Sequence, residues 1–267
     1  MNRLSPLDLP GLIAFWDFQG APGDDLVAKG AAHYRLRERN GPIFRSGDGV
    51  FGPQSIWLSR QTWLEIPHHA CPALHRAGDD SAVTVLAWIN RYRQVSDTPD
   101  ESAPPEAIAG IWNETENQRQ YCLFLNIIIS GGAPDNVSGH VSHTGGPTAG
   151  RRYCEDVSAG RTPVPFLEWC MVGFTFDGAF ARSYFNGRCD ANPGLNPFPY
   201  PDGLFASRAD FTVGAVHRSG EMGNWYRGLL GGLAVYRCAL ADEEIRQLAL
   251  ATVPFAISQE APEVLGG

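Results

Sequence analysis

No stretch of the sequence approaches the roughly 18 consecutive apolar residues of a transmembrane helix, so a helical membrane span is not expected. Charge is also scarce. Asp, Glu, Lys and Arg make up 19% of the chain, and the net charge is −8. An acidic surface repels phosphate backbones, which sets nucleic acid aside as a partner. The six cysteines, Cys71, Cys122, Cys154, Cys170, Cys189 and Cys238, show neither zinc-knuckle spacing nor a redox CxxC pair. Cys122 and Cys170 lie in apolar segments, where a free thiol behaves as a small hydrophobe; free thiols are expected ahead of disulfides, whose fifteen full pairings the sequence leaves open. The N-terminus, MNRLSPLDLPGL, is interrupted by Pro6 and Pro10 and lacks the apolar core of a signal peptide. The chain as written is therefore expected in the cytoplasm; secretion would require a leader already removed. There is no internal repeat, and nothing in the sequence sets an oligomeric state.

What the sequence does contain is turn chemistry. Thirty glycines and 20 prolines are spread along 267 residues that are 43% hydrophobic, a pattern of many short strands joined by turns. The expectation is one all-β domain over residues 1–267, with its core in about residues 11–250. Several segments alternate with period 2, which sends successive side chains to opposite faces of a sheet. Val83, Val85, Ala87 and Ile89 oppose Thr84, Leu86 and Trp88. Leu64 and Ile66 oppose Trp63 and Glu65. Leu123, Leu125, Ile127 and Ile129 oppose Phe124, Asn126 and Ile128, and Val172, Phe174 and Phe176 form a further stripe. Each is read as a strand with one face in a core. Asn186-Gly187 predicts a two-residue hairpin turn, and Asp177-Gly178 another. Residues 95–107, VSDTPDESAPPEA, read as a mobile surface loop. One helix is expected, from Asp242-Glu243-Glu244, whose acids suit a first helical turn, through Leu248.

In order along the chain, these segments resemble the laminin-G-like, concanavalin-A-like jelly-roll superfamily, particularly its bacterial and pentraxin-related branch. LIAFWDF at 12–18 is similar to that family's first strand. FGPQSIWLSRQTWLEIPH at 51–68 resembles the next two, and SAVTVLAWIN at 81–90 its Trp-bearing strand. EWCMVGFTFDG…ARSYFNGRCDA resembles its Trp-to-Asn-Gly hairpin, and WYRGLLGGLAVYRCALADEEIRQL its closing strand and helix. The resemblance covers about residues 11–250. It implies a two-sheet antiparallel jelly-roll sandwich with one short C-terminal helix, on a scaffold that serves lectins, adhesion modules, glycoside hydrolases and polysaccharide lyases. Fold narrows function without settling it. The family often carries an acidic pair where this chain has Gly231-Gly232. Calcium is common in the superfamily, and Asp17, Asp24 and Asp25 offer oxygen ligands near the N-terminal loop; a solvated acidic loop is the plainer alternative.

Residues 138–165 are chemically dense in a region that is plainer in the family. If 137–143 is a strand, Val137 and Val141 face the core and His140 the outer face, with His143 at the strand end. Arg152, Tyr153, Glu155 and Asp156 follow. A second cluster, Trp112, Asn113, Glu114, Arg119, Gln120 and Asn126, supplies amides and a guanidinium suited to sugar hydroxyls or uronates. Trp63, Trp112 and Trp225 are candidates to stack on a pyranose; packing is the simpler role for each.

The leading expectation is therefore a carbohydrate-recognising, lectin-like domain whose ligand contacts include Trp112, Asn113, Gln120, Asn126, His140, His143, Arg152 and Trp225. The enzymatic alternative is a polysaccharide lyase in which His140 or Tyr153 removes a proton and Arg119 neutralises a uronate. A glycoside hydrolase would need two opposed carboxyls, drawn from Glu65, Glu114, Glu155 and Asp156. A structural or protein-interaction module is the third reading.

Overall fold

The computed structural model describes residues 4–78, 81–94, 104–128 and 132–252, built around two large antiparallel sheets. From edge to edge, the first sheet runs Arg188–Cys189, Phe180–Phe185, Trp169–Phe176, Val83–Arg91, Gly228–Tyr236, Ser55–Leu58 and Arg45–Ser46. Leu12–Trp16 also pairs with Gly228–Tyr236, and Phe198–Pro199 with Phe180–Phe185. The second sheet runs Val157–Ala159, Val137–Val141, Tyr121–Leu125, Glu106–Ile111, Phe211–Val213, Trp63–Ile66, Arg35–Arg39 and Leu26–Val27. A separate hairpin joins Val216–Arg218 to Glu221–Gly223. Asp242–Thr252 is the one α-helix among the described residues, and none is long and apolar enough to cross a membrane. This is the expected all-β sandwich with its short C-terminal helix.

The period-2 stripes supply the interior. Val83, Val85, Ala87 and Ile89 meet Val172, Phe174 and Phe176 from the neighbouring strand, and Leu123, Leu125, Val137 and Val141 from the opposite sheet. Gly139 marks the closest approach, since a Cβ there would lie 2.6 Å from Cβ of Phe174 in the facing sheet. The expectation of one buried face per strand understates the packing, because the outer faces are covered as well. Leu86, Trp88 and Met171 form a second cluster with Ile245, Leu248 and Ala249 of the helix. On the outer face of the second sheet, Trp112, Cys122, Phe124, Ile127, Cys154 and Val157 form a third. Gly231 and Gly232 lie inside a wholly buried strand against Trp169, Phe51 and Trp88, where an acidic pair would have no room.

Two strand boundaries differ from the sequence reading. The Tyr121–Leu125 strand stops before Asn126, which takes a left-handed φ of 59°, so the alternation does not continue to Ile128. Ile129 and residues 95–103 of the proposed mobile loop lie outside the described residues. Glu106 and Ala107, assigned to that loop from composition, are buried strand residues. Glu106 is there because of Arg91. Both side chains are 0% exposed, and the guanidinium donates to Glu106 Oε1 from Nη2 at 2.6 Å and from Nε at 2.9 Å. Its Nη1 donates to Asp135 Oδ1 at 2.6 Å, and the Phe166 ring lies 4.5 Å away. Arg91 ends a strand of the first sheet and Glu106 begins one of the second, so the pair ties the two sheets together at one end. All six cysteines carry free thiols, so no disulfide adds to this tie.

Asn186 and Gly187 occupy the predicted hairpin turn, with φ of 45° and 81°. The same turn seats the helix: a Cβ on Gly187 would fall 2.6 Å from Cβ of Ala249.

Two outcomes follow for stability. Arg91→Met strands a buried carboxylate and should destabilise by about 3–5 kcal/mol, with Arg91→Met combined with Glu106→Leu recovering much of the loss; urea denaturation of both measures this. Gly187→Val meets both a positive φ and the helix, so a loss of roughly 1–3 kcal/mol is expected, and an unchanged melting temperature would contradict the turn's role.

Candidate functional site

The outer face of the second sheet carries a cleft of about 360 Å³. Its floor follows from strand pairing. His140 stands opposite Cys122 in Tyr121–Leu125, and Phe124 opposite Ser138, so His140 and Phe124 share the face turned away from the inter-sheet core. The Trp112 ring completes the floor, with its centroid 5.1 Å from that of His140 and 5.9 Å from that of Phe124, all edge to face. Trp112 Nε1 donates to Glu114 Oε1 at 3.3 Å, which fixes both side chains.

Two chain segments raise the walls. Between Thr144 and Asp156 the chain folds on itself through Thr148, whose hydroxyl donates to Asp156 Oδ1 at 2.9 Å and accepts the Glu155 N–H at 2.7 Å. This brings Cys154 and Tyr153 to the cleft, Cys154 buried and Tyr153 46% exposed with the Arg152 guanidinium 5.1 Å from its ring. On the opposite side, the Val216–Gly223 hairpin turns at Ser219 and Gly220, both at positive φ. It is held to the Trp112 segment by Glu114 N donating to His217 O at 2.8 Å, and it presents Arg218 and Asn224 to the cleft. The Arg218 guanidinium donates to Asn224 Oδ1.

The central feature is His140. It is 3% exposed, yet neither ring nitrogen has a hydrogen-bond partner among the described residues. The sequence reading has the right face, away from the inter-sheet core, but takes the residue for a surface one; the aromatic rings and the 144–156 segment bury it. Burial first, and the positive charge of Arg119 second, pull its pKa down to about 3. The ring is therefore neutral at physiological pH, with one N–H donor and one acceptor nitrogen. Its conjugate acid is too strong for the imidazole to act well as a general base near neutrality, which weighs against proton abstraction by His140.

The other residues singled out from the sequence are scattered. Trp112 is 2% exposed and lines the floor of the cleft. Asn126 lines the cleft, but its amide is committed to the backbone: Nδ2 donates to Pro104 O at 3.3 Å and Oδ1 accepts the Asp135 N–H at 2.8 Å. Gln120 is fully buried, accepting from Arg76 N at 2.9 Å and donating to Phe205 O. Arg119 Nη1 donates to Gly145 O at 3.0 Å and to Asn117 Oδ1, with the guanidinium 5.9 Å from the Trp112 ring. Asn113 points into a different cleft, of about 300 Å³, shared with Thr115, Glu116 and His217. His143 is exposed and bound through Nδ1 to the Tyr200 hydroxyl at 2.7 Å, Arg152 is an exposed neighbour, and Trp225 packs on Trp63 at 6.0 Å; none lines the His140 cleft.

Of the four candidate carboxyls, only Glu114 reaches the cleft; Glu65 pairs with Arg39 at 2.6 Å, Glu155 with Arg151 at 3.5 Å, and Asp156 accepts from Thr148 and Tyr200. No second carboxyl stands across the cleft from Glu114 among its lining residues. Asp17 pairs with Lys29, Asp25 with Arg35, and Asp24 caps the Ala21 N–H at 2.8 Å. Among the described residues, no group of three His, Cys, Asp or Glu side chains is arranged to hold a metal. Arg218 and Asn224 were missed by sequence reasoning; the Ser219-Gly220 turn signals their hairpin but not what the hairpin covers.

No protein-family model and no curated protein matches the sequence. Solved structures do match the fold. Domain 4 of AbnA, a GH43 extracellular arabinanase from Geobacillus stearothermophilus, solved with arabinotriose, aligns with a TM-score of 0.57 at 17% identity, over 89% of this chain and 98% of that domain. The binding domain of botulinum neurotoxin DC in complex with SialylT aligns with a TM-score of 0.58 at 11% identity, over 92% of this chain and 52% of that one. A structure of botulinum neurotoxin type C, described as entering cells through two ganglioside molecules, aligns with a TM-score of 0.56 at 10% identity over 90% of this chain. The chain spans about half the length of the toxin structures. At these identities, the likeness establishes a shared β-sandwich.

The depressed pKa of His140 has a consequence for stability. The folded ring stays unprotonated down to about 3, whereas the unfolded ring takes up its proton near 6.5, so the unfolded state binds more protons between those values. The contribution is intact above pH ~6.5 and is lost as the pH falls toward 3, with a slope of at most about 1.4 kcal/mol per pH unit. His75, lowered to about 4 by burial and then by His68, acts in the same direction. Denaturation midpoints between pH 7 and 4 should fall less steeply in His140→Leu than in the parent, and parallel curves would show that the ring titrates normally.

Proposed function

We propose that this protein is a glycan-recognising module of the laminin-G-like, concanavalin-A-like kind, with the His140 cleft as its binding site. One observation carries the reading: a buried imidazole with both nitrogens unpartnered forms the floor of a walled cleft. A buried polar group without a partner costs roughly 1–3 kcal/mol, and a ligand hydroxyl or amide entering the cleft would recover that loss. Around it stand the groups that suit a sugar: the exposed face of Tyr153, the carboxylate of Glu114, and the Arg218–Asn224 pair. The shared fold of the arabinotriose-bound and SialylT-bound domains supports glycan recognition in general. Binding is favoured over lyase chemistry because His140 is a poor base and Arg119 is held by Gly145. It is favoured over hydrolysis because Glu114 has no opposed acid.

Glycan-array screening, followed by calorimetric titration of the hits, tests this. Tyr153→Ala and Arg218→Ala are rim changes that should leave the melting temperature within a few degrees. Each should weaken binding by roughly tenfold, about 1.4 kcal/mol. Hits whose affinity neither variant alters would place the glycan elsewhere on the molecule.

A further inference from the structure

The composition of the cleft floor narrows the ligand further, and the following rests on the glycan-binding reading. Beneath the rim, the walls are the rings of Trp112 and Phe124, the side chain of Ile127 and the thiol of Cys154. Burial pushes that thiol up to about 12, so it is neutral and uncharged like its neighbours. Asn126 reaches the same space with its amide oxygen and nitrogen already bonded to backbone. The unpartnered polar atoms of the floor are therefore the two ring nitrogens of one neutral imidazole, a single donor and a single acceptor.

A pyranose face of ordinary hydroxyls does not match such a surface. Each hydroxyl pressed against the aromatic rings would lose water without gaining a partner, and His140 can serve only two. A carboxylate gains nothing from the floor, which holds no cation, and at the rim the repulsion of Glu114 offsets the attraction of Arg218. What fits is a carbon-rich substituent beside one hydrogen-bonding group. We infer that the cleft selects a neutral sugar bearing a methyl group, an acetamido or a 6-deoxy substituent, that is inserted methyl-first against Phe124 and Trp112 with its adjacent polar atom on His140. The shared chemistry is a methyl next to a single polar group. The two sources differ only in whether that group is an amide or a ring-proximal hydroxyl.

Four probes separate the possibilities: the 2-hydroxyethyl glycosides of N-acetylglucosamine, fucose, glucose and glucuronic acid, whose aglycone carries no methyl group, titrated calorimetrically into the intact chain. At least one of the first two should bind about tenfold or more tightly than the glucoside, the discrimination that one buried methyl can supply, with the glucuronide no tighter than the glucoside. Which of the two binds identifies the substituent. In saturation-transfer NMR, its methyl protons should receive the strongest saturation. His140→Leu keeps the volume of the floor and removes its polar group, so it should weaken the preferred glycoside at least tenfold while the melting temperature is held or raised. Phe124→Leu, a second change at the methyl contact, should reduce the methyl preference even if it lowers stability.

A glucoside within twofold of both methyl-bearing sugars, a glucuronide that binds best, or His140→Leu binding like the parent would each overturn the inference. So would failure of all four probes when the array gives other hits. In those cases, glycan recognition itself would stand. An array without any hit would remove the glycan reading, and this inference with it.

Discussion

The sandwich depends on one buried ion pair. Arg91 and Glu106 sit between the sheets with no exposure, one at the end of a first-sheet strand and the other at the start of a second-sheet strand. Removing two charges from water is costly, and the pair is tolerable because two guanidinium nitrogens donate to Glu106 Oε1 while Nη1 donates to Asp135 and Val164 O and the guanidinium lies over the Phe166 face. An apolar contact at this place would tolerate sliding; two directional guanidinium N–H bonds converging on one carboxylate oxygen do not. The pair therefore sets how the two sheets register at this end.

That registration reaches the cleft through a short polar chain. Asp135, held by Arg91 through its carboxylate, donates its backbone N–H to Asn126 Oδ1, and Asn126 Nδ2 donates to Pro104 O in the cleft wall. Asn126 thus serves the site by shaping it. Its left-handed backbone follows the end of the Tyr121–Leu125 strand, beside Phe124 in the cleft lining. The floor is the reverse side of the same sheet whose inner face packs against Phe174, so the core and the site share the strands that build them.

Much of the fold was legible because its determinants are local. The alternation at 83–89 and 172–176, the Asn186-Gly187 turn and the acidic first turn of the helix each act within a few residues. Glu106 was misread for the same reason. Its surroundings, SAPPEA, are polar and proline-rich, and the residue that makes it a strand residue, Arg91, lies beyond the intervening loop. The cleft was legible in part: the valine alternation assigns His140 to the face turned away from the inter-sheet core, and Trp112, Glu114, Asn126 and Tyr153, candidates from the sequence, line the same cleft. Gln120, Asn113, His143 and Trp225 had equally suitable chemistry and went elsewhere, because an amide or imidazole reads the same in sequence whether it binds a ligand or a backbone group.

By itself, the sequence determined the class of the protein: an acidic β-sandwich with turns at stated positions, free of long apolar helices, and with His140 turned away from the inter-sheet core. Period and turn chemistry are properties of neighbouring residues, so no distant contact is needed to express them. Only the tertiary structure decided what that outer face meets. Trp112, the 144–156 segment and the Val216–Gly223 hairpin converge on His140 from separate parts of the chain, turning a nominal surface residue into a buried, neutral and unpartnered one. Burial and desolvation are set by everything packed around a group at once, and so they appear only when the chain has closed on itself.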